Sequence, residues 1–193
     1  MLISGSGRTL VNLAERIERG ELPAQIGLVI ASRECLGADR SRELGFPTVV
    51  QRDLGDGEAF ERTLREHGAD WVALAGYLRL APTPPSFAGR IVNIHPALLP
   101  SFGGRGMYGL RVHEAVLEAG CKVSGCTVHL CDEAYDTGPI VAQRTCEVLD
   151  DDTAESLAAR VFELEKEVFP AALRLLIEGR VSIEGRRTRI IGS

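Results

Sequence analysis

Apolar positions along the chain fall into two kinds of run. Some are short and apolar throughout: 25–31 (QIGLVIA), 71–75 (WVALA) and 91–94, with a brief 48–50 between the first two. Strands of this kind, buried on both faces, belong to parallel sheets. Other stretches repeat an apolar residue every three or four positions, the spacing of a helix with one buried face. Leu10, Leu13, Ala14 and Ile17 share such a face before Gly20 ends the run. A short helix is expected over 37–44, closed by Gly45, and another from a cap at Asp56 to His67, stopped by Gly68. A helix over 112–119 and a long one from Asp152 to about Ile177 complete the set. In the long one Leu157, Val161, Leu164 and Val168 form the core stripe, and Asp152-Thr153-Ala154-Glu155 reads as an Asp-led capping box. Pro170 is expected to kink that helix or break it in two.

Strand and helix alternate until 123–130 and 140–148, two strands close enough to pair as a hairpin. The expected fold is α/β: an open, mostly parallel, doubly wound sheet of Rossmann-like kind, with an antiparallel edge hairpin and a long C-terminal helix. A second, small hairpin is expected over 180–191, around Glu184-Gly185. The first strand, Leu2-Ile3, is short against the usual length of about five residues, which points to upstream residues lacking from this sequence. Residues 82–85, holding three prolines, form an irregular crossover, and the glycine-rich 96–109 reads as a mobile surface loop.

Composition narrows the class. The chain has 193 residues, 45% hydrophobic and 25% charged, which suits one globular domain. A net charge of -5 speaks against a non-specific nucleic-acid binder and leaves room for a phosphate-bearing small molecule. Lys122 and Lys166 are the sole lysines, so arginine or backbone N–H groups would meet that phosphate. Five cysteines (35, 121, 126, 131, 146), odd in number and without C-x-x-C spacing, are expected to be free thiols of a reducing compartment. Neither a signal-peptide pattern nor an apolar run of membrane-spanning length is present, so a cytoplasmic protein with no membrane partner is expected.

Three stretches carry the candidate chemistry. Ser4-Gly5-Ser6-Gly7-Arg8-Thr9 is a glycine-rich turn from strand to helix, which presents N–H groups at the positive end of a helix. It lacks the third glycine of the dinucleotide fingerprint and the Gly-Lys-Ser/Thr of a P-loop; its alternative is a tight turn without ligand. Asn93 and His95, two apart on a strand, point to one side, where a carboxamide and an imidazole handle a carbonyl; the alternative is a strand end with a satisfied histidine. Asp132-Glu133-Ala134-Tyr135-Asp136-Thr137-Gly138-Pro139 is a solvated acidic loop or the source of a carboxylate for His95, whose pKa such a partner would raise. A metal held by His95, His129, Asp132 and Asp136 ranks lower, because their spacing matches no metal motif and His129 sits in a strand pattern suited to a core histidine. His67 and His113, on helices beside charged residues, read as surface. Tyr77-Leu78-Arg79-Leu80 follows a strand at the same carboxyl edge, where backbone can contact a flat heterocycle.

Together the glycine-rich turn, Ala-Gly-Tyr-Leu-Arg-Leu, Asn-Ile-His-Pro-Ala-Leu-Leu-Pro and Asp-Glu-Ala-Tyr-Asp-Thr-Gly-Pro resemble the formyltransferases that use 10-formyltetrahydrofolate. Within that family the chain looks most like the branch that formylates the amine of a phosphoribosyl compound in purine synthesis. The resemblance runs from Leu2 to about Gly179. It implies a single formyltransferase domain over 1–193, with a nucleotide-binding part about 1–92 and a folate and catalytic part about 76–178. It implies Asn93, His95 and Asp136 as the catalytic trio. Gly5, Ser6, Gly7, Arg8 and Thr9 would hold the substrate phosphate, with Glu165 near the substrate. Leu78, Arg79, Leu80, Ala81 and Asn93, with Asp132, Glu133, Ala134 and Tyr135, would surround the folate. It implies 10-formyltetrahydrofolate as co-substrate, no metal, small-molecule partners and no nucleic acid, and a monomer or homodimer. The chain departs from the family in having Arg8-Thr9 where Ser-Asn is usual, and Arg105 and Tyr108 in a glycine-rich loop over 101–109. Its length leaves no room for the extra domains of the transfer-RNA formylating and formyltetrahydrofolate-hydrolysing relatives. The alternatives are a hydrolase with the same trio, a transferase acting on a sugar-nucleotide amine, and a non-catalytic nucleotide-binding module.

Overall fold

The structure, a computed structural model, describes residues 1–192. Nine strands and five α-helices alternate along the described residues: β1 (Leu2–Ile3), α1 (Arg8–Glu18), β2 (Val29–Ala31), α2 (Leu36–Glu43), β3 (Thr48–Val50), α3 (Gly57–Glu66), β4 (Val72–Leu74), β5 (Ile91–His95), α4 (Leu110–Glu118), β6 (Val123–Leu130), β7 (Ile140–Glu147), α5 (Ala154–Ile177), β8 (Val181–Glu184) and β9 (Arg187–Ile190). A single 3₁₀ turn, Pro85–Phe87, interrupts the proline-rich crossover. The main sheet has seven strands in the order β3-β2-β1-β4-β5-β6-β7, and β8 with β9 forms a separate hairpin. The doubly wound α/β sheet with one antiparallel edge is therefore present. Among the described residues no helix is long and apolar enough to cross a membrane.

The chain divides into two compact units: Met1–Asn93 with Cys131–Glu133, and Ile94–Leu130 with Ala134 onward. In the first, β1 pairs in parallel with both β2 and β4, β2 with β3, and β4 with β5. Alternation along these strands builds two apolar layers. Leu2, Ile30, Val72 and Leu74 pack with Phe60 and Leu64 of α3. Ile3, Val29, Ala31 and Ala75 pack with Leu10 of α1 and Ala38 of α2. Burying the Leu, Ile, Val and Phe side chains among them stabilises the unit by about 1.5–3 kcal/mol each. The run at 25–31 yields a strand only from Val29, since the sheet ladder there pairs with the three residues of β3. The Asp56 side chain caps α3 by accepting from the Ala59 N–H at 2.9 Å.

The second unit is built on the β6–β7 antiparallel pair, with α5 packed on α4, β6 and β7. Four expectations change here. Thr153, not Asp152, caps α5, exchanging hydrogen bonds with Ser156 in a capping box. Asp152 instead forms a two-pronged pair with Arg160, at 2.6 and 2.8 Å, a geometry that suits a guanidinium and a carboxylate. Pro170 lies inside one continuous helix, buried beside Val168 and Phe169. His113, read as a surface residue, is buried with Val112 and Val116 on α4, because the apolar face of that helix includes it. The stretch 96–109 lacks regular structure, but Ala97 and Leu99 are buried, so its first part is core and not surface. Thr127 pins that part: it donates to the Ala97 carbonyl at 2.6 Å and accepts from the Leu99 N–H at 3.0 Å.

Candidate active site

In a doubly wound sheet, ligands bind beyond the carboxyl ends of strands where the strand order reverses. In the first unit that point lies between β1 and β4. After β1 comes the glycine-rich turn. Gly7 has φ +73° and leads into α1, whose cap makes no side-chain bond and whose first turn holds no acid. The turn lies against the start of α2: a Cβ on Gly7 would come within 2.6 Å of Gly37 Cα. The Gly37 N–H donates to the Gly5 carbonyl at 2.9 Å. Arg33 donates to the Ser4 carbonyl at 3.1 Å and Arg40 to the Ser6 carbonyl at 2.8 Å. The helix dipole and these guanidiniums make the turn favourable for an anion.

After β4 the chain reaches Leu78, whose N–H donates to Ser4 Oγ at 3.2 Å, tying the two strand ends together. A cavity of about 350 Å³ opens there, lined by Ser4, Ser32, Arg33, Arg52, Leu78 and Arg79. Leu78 and Leu80 are exposed, whereas Ala81 is buried in the core beside Tyr77. Arg33 and Arg52 were not among the expected site residues, and no spacing in the sequence joins them to Arg79. Asn93, partly buried on β5, belongs to this unit, as do Asp132 and Glu133.

The second unit holds His95 and Asp136. His95 ends β5 and is 3% exposed. Its Nε2 lies 2.8 Å from the Phe102 carbonyl, so Nε2 donates. Its Nδ1 is 3.6 Å from Asp136 Oδ2, an ion-pair distance a little too long for a direct hydrogen bond. Asp136 adopts φ +57°, a conformation that a short polar side chain tolerates. Its Oδ2 also accepts from the Gly104 N–H at 2.8 Å, and its Oδ1 faces His129 Nε2 at 3.4 Å. Sequence alone placed His129 in the core, and it is buried, yet it also reaches the carboxylate. Ala134 and Tyr135 lie on the same loop, and Glu165 lies on α5.

Electrostatics correct one expectation. Burial pushes the His95 pKa below its ordinary 6.5, and this outweighs the Asp136 charge and the Phe102 hydrogen bond, which raise it. Burial tends to raise the Asp136 pKa, but the hydrogen bond from His129, the His95 charge and the Gly104 N–H together hold the carboxyl below its usual range. His113 falls to about 4, through burial and then the charge of His95. Burial, then the Glu165 carboxylate, push the Cys126 thiol up to about 12, so it is no thiolate nucleophile. All five cysteines are free. Among the described residues, no three His, Cys, Asp or Glu side chains are grouped to hold a metal ion.

Comparison with known proteins places these residues in context. The family model "Formyl transferase" matches residues 1–173. The chain is similar to the chloroplastic phosphoribosylglycinamide formyltransferase of Arabidopsis thaliana, 39% identical over 94% of this chain and 65% of that protein's length. It is also similar to the crystal structure of glycinamide ribonucleotide transformylase 1 from Symbiobacterium toebii, with TM-score 0.90, 39% identity, and coverage of 99% of this chain and 92% of that one. A formyltetrahydrofolate deformylase from Pseudomonas syringae pv. tomato shares the fold at TM-score 0.85 and 27% identity, over 99% of this chain and 65% of that one.

Proposed function

Because the chain belongs to the formyl transferase family, we propose that it transfers the formyl group of 10-formyltetrahydrofolate to the amine of glycinamide ribonucleotide, a step of purine synthesis. The observation that most supports this reading is the pairing of buried His95 with Asp136, 3.6 Å apart, beside a strand that also carries Asn93. In the proposed mechanism the amine attacks the formyl carbon and the carbonyl oxygen becomes an oxyanion. Asn93 and the Nε2–H of His95 donate to that oxygen, which replaces Phe102 as the acceptor of the His95 proton. Donors of this kind, fixed before reaction, are the main source of rate in acyl transfer. Asp136 orients the ring and moves the proton from the attacking amine to the departing folate nitrogen. The N–H groups of Gly7, Arg8 and Thr9, with Gly5 and Ser6 in the turn, hold the ribonucleotide phosphate. Leu78, Arg79, Leu80, Ala81, Asp132, Glu133, Ala134 and Tyr135 contact the folate, Glu165 approaches the substrate, and the arginine-lined cavity suits the folate's glutamyl carboxylates. The free thiols support a reducing compartment such as the cytoplasm.

Absorbance of the deformylated folate, measured with glycinamide ribonucleotide present, tests the proposal. The wild-type protein turns over, and His95→Ala and Asp136→Asn fold normally yet lose roughly a hundredfold or more in kcat. A folded His95→Ala enzyme with near wild-type turnover would falsify the assignment. The likeness to the deformylase supports a second reading, hydrolysis by the same residues. Formate released at full rate without an amine acceptor would favour it.

A further inference from the structure

His129 is a buried titratable group that the mechanism above leaves unused. It is 2% exposed, on β6. Its Nδ1 lies 2.9 Å from the Leu130 carbonyl. A carbonyl oxygen only accepts, so Nδ1 carries a hydrogen and that nitrogen is committed to the backbone. The opposite nitrogen, Nε2, faces Asp136 Oδ1 at 3.4 Å. A hydrogen bond from this ring is among the contacts that hold the Asp136 carboxyl below its usual range. The other oxygen, Oδ2, takes the Gly104 N–H at 2.8 Å and stands 3.6 Å from His95 Nδ1. The carboxylate is thus gripped on one side by an imidazole locked to β6, on the other by the backbone of the turn that also receives His95 Nε2.

We propose that His129 is a positioning residue: its ring, fixed to the Leu130 carbonyl, holds Oδ1 so that Oδ2 keeps its place against His95 during transfer. The proposal rests on the formyl-transfer reading. A hydrogen-bonded partner that sets a reacting group's orientation acts on kcat, since misplacement of about 1 Å costs on the order of a hundredfold in rate.

The test pairs kinetics with spectroscopy. His129→Leu removes the donor, and His129→Gln restores an N–H at a similar reach. We expect His129→Leu to lower kcat at least about tenfold with both KM values within about twofold of wild type, and His129→Gln to recover most of the loss. In an Asp136→Asn background, His129→Leu should cause no further loss, because the residue acts through the carboxylate. A folded His129→Leu enzyme with wild-type kcat, or an equal loss in both backgrounds, overturns the proposal. Should His129→Leu not fold, imidazole nitrogen NMR of wild type against Asp136→Asn decides: the His129 Nε2 resonance must move while Nδ1 stays protonated. An unchanged Nε2 resonance refutes the contact. Absence of wild-type turnover with glycinamide ribonucleotide overturns the transfer reading instead, and the NMR comparison separates that failure from this one.

Discussion

A carboxylate beside a histidine is expected to raise the imidazole's pKa, and at His95 it does not prevail. The ring is so thoroughly buried that the loss of hydration outweighs Asp136 at 3.6 Å. Sequence shows which residues stand together; it does not show how much water each has lost. The same blindness hid His113, whose charged neighbours in sequence suggested surface although its own face of α4 is apolar and buried. Its Nδ1 has no hydrogen-bond partner in the structure. Its pKa falls from 6.5 to about 4, so between those values the unfolded chain binds a proton that the folded one does not. Stability must therefore decrease as pH falls through that window. We expect His113 alone to remove about 2 kcal/mol between pH 7 and pH 5, with His95 acting in the same direction. Urea unfolding at the two pH values checks this: in His113→Leu the difference shrinks by about that amount.

At the level of elements, the apolar runs and helical spacings were legible because buried strands and amphipathic helices carry their period in the sequence. Thr48–Val50 and Val123–Leu130 fall where the pattern put them. Strand starts were less legible, since β2 begins only at Val29, where its pairing with β3 begins. The cap of α5 was misplaced by one residue because Asp152 and Thr153 both favour that position, and Arg160, eight residues on, draws Asp152 away. The glycine-rich turn shows a dependence that spacing cannot reveal. It rests on Gly37, where an added Cβ would lie 2.8 Å from the Gly5 carbonyl and 2.9 Å from the Gly7 nitrogen, both backbone atoms that cannot swing aside. Gly37→Ala should therefore push the turn outward, destabilise the protein by about 1–3 kcal/mol and raise KM for glycinamide ribonucleotide more than KM for the folate. Denaturant unfolding and initial-rate kinetics measure both effects.

Across the whole molecule, the order of strands follows from a local rule. Parallel strands joined by helices can only be wound in from a starting strand toward either edge, and the reversal leaves room for a ligand. That much, with the approach of Asp136 to His95, was open to inference from the chain itself. The arginine-lined cavity was not, because Arg33, Arg52 and Arg79 leave three different strand ends and meet only after folding. Stability rests on the core without covalent bridges: all five cysteines are free, so the thermal midpoint should be the same with and without a reductant in calorimetry. One small contact bears on the proposed mechanism from its first step. The Phe102 carbonyl, 2.8 Å from His95 Nε2, selects the tautomer of the resting imidazole before any substrate arrives. In the proposed mechanism the ring enters the reaction with its hydrogen already on the donating nitrogen, so one acceptor oxygen is exchanged for another and no proton has to cross the ring.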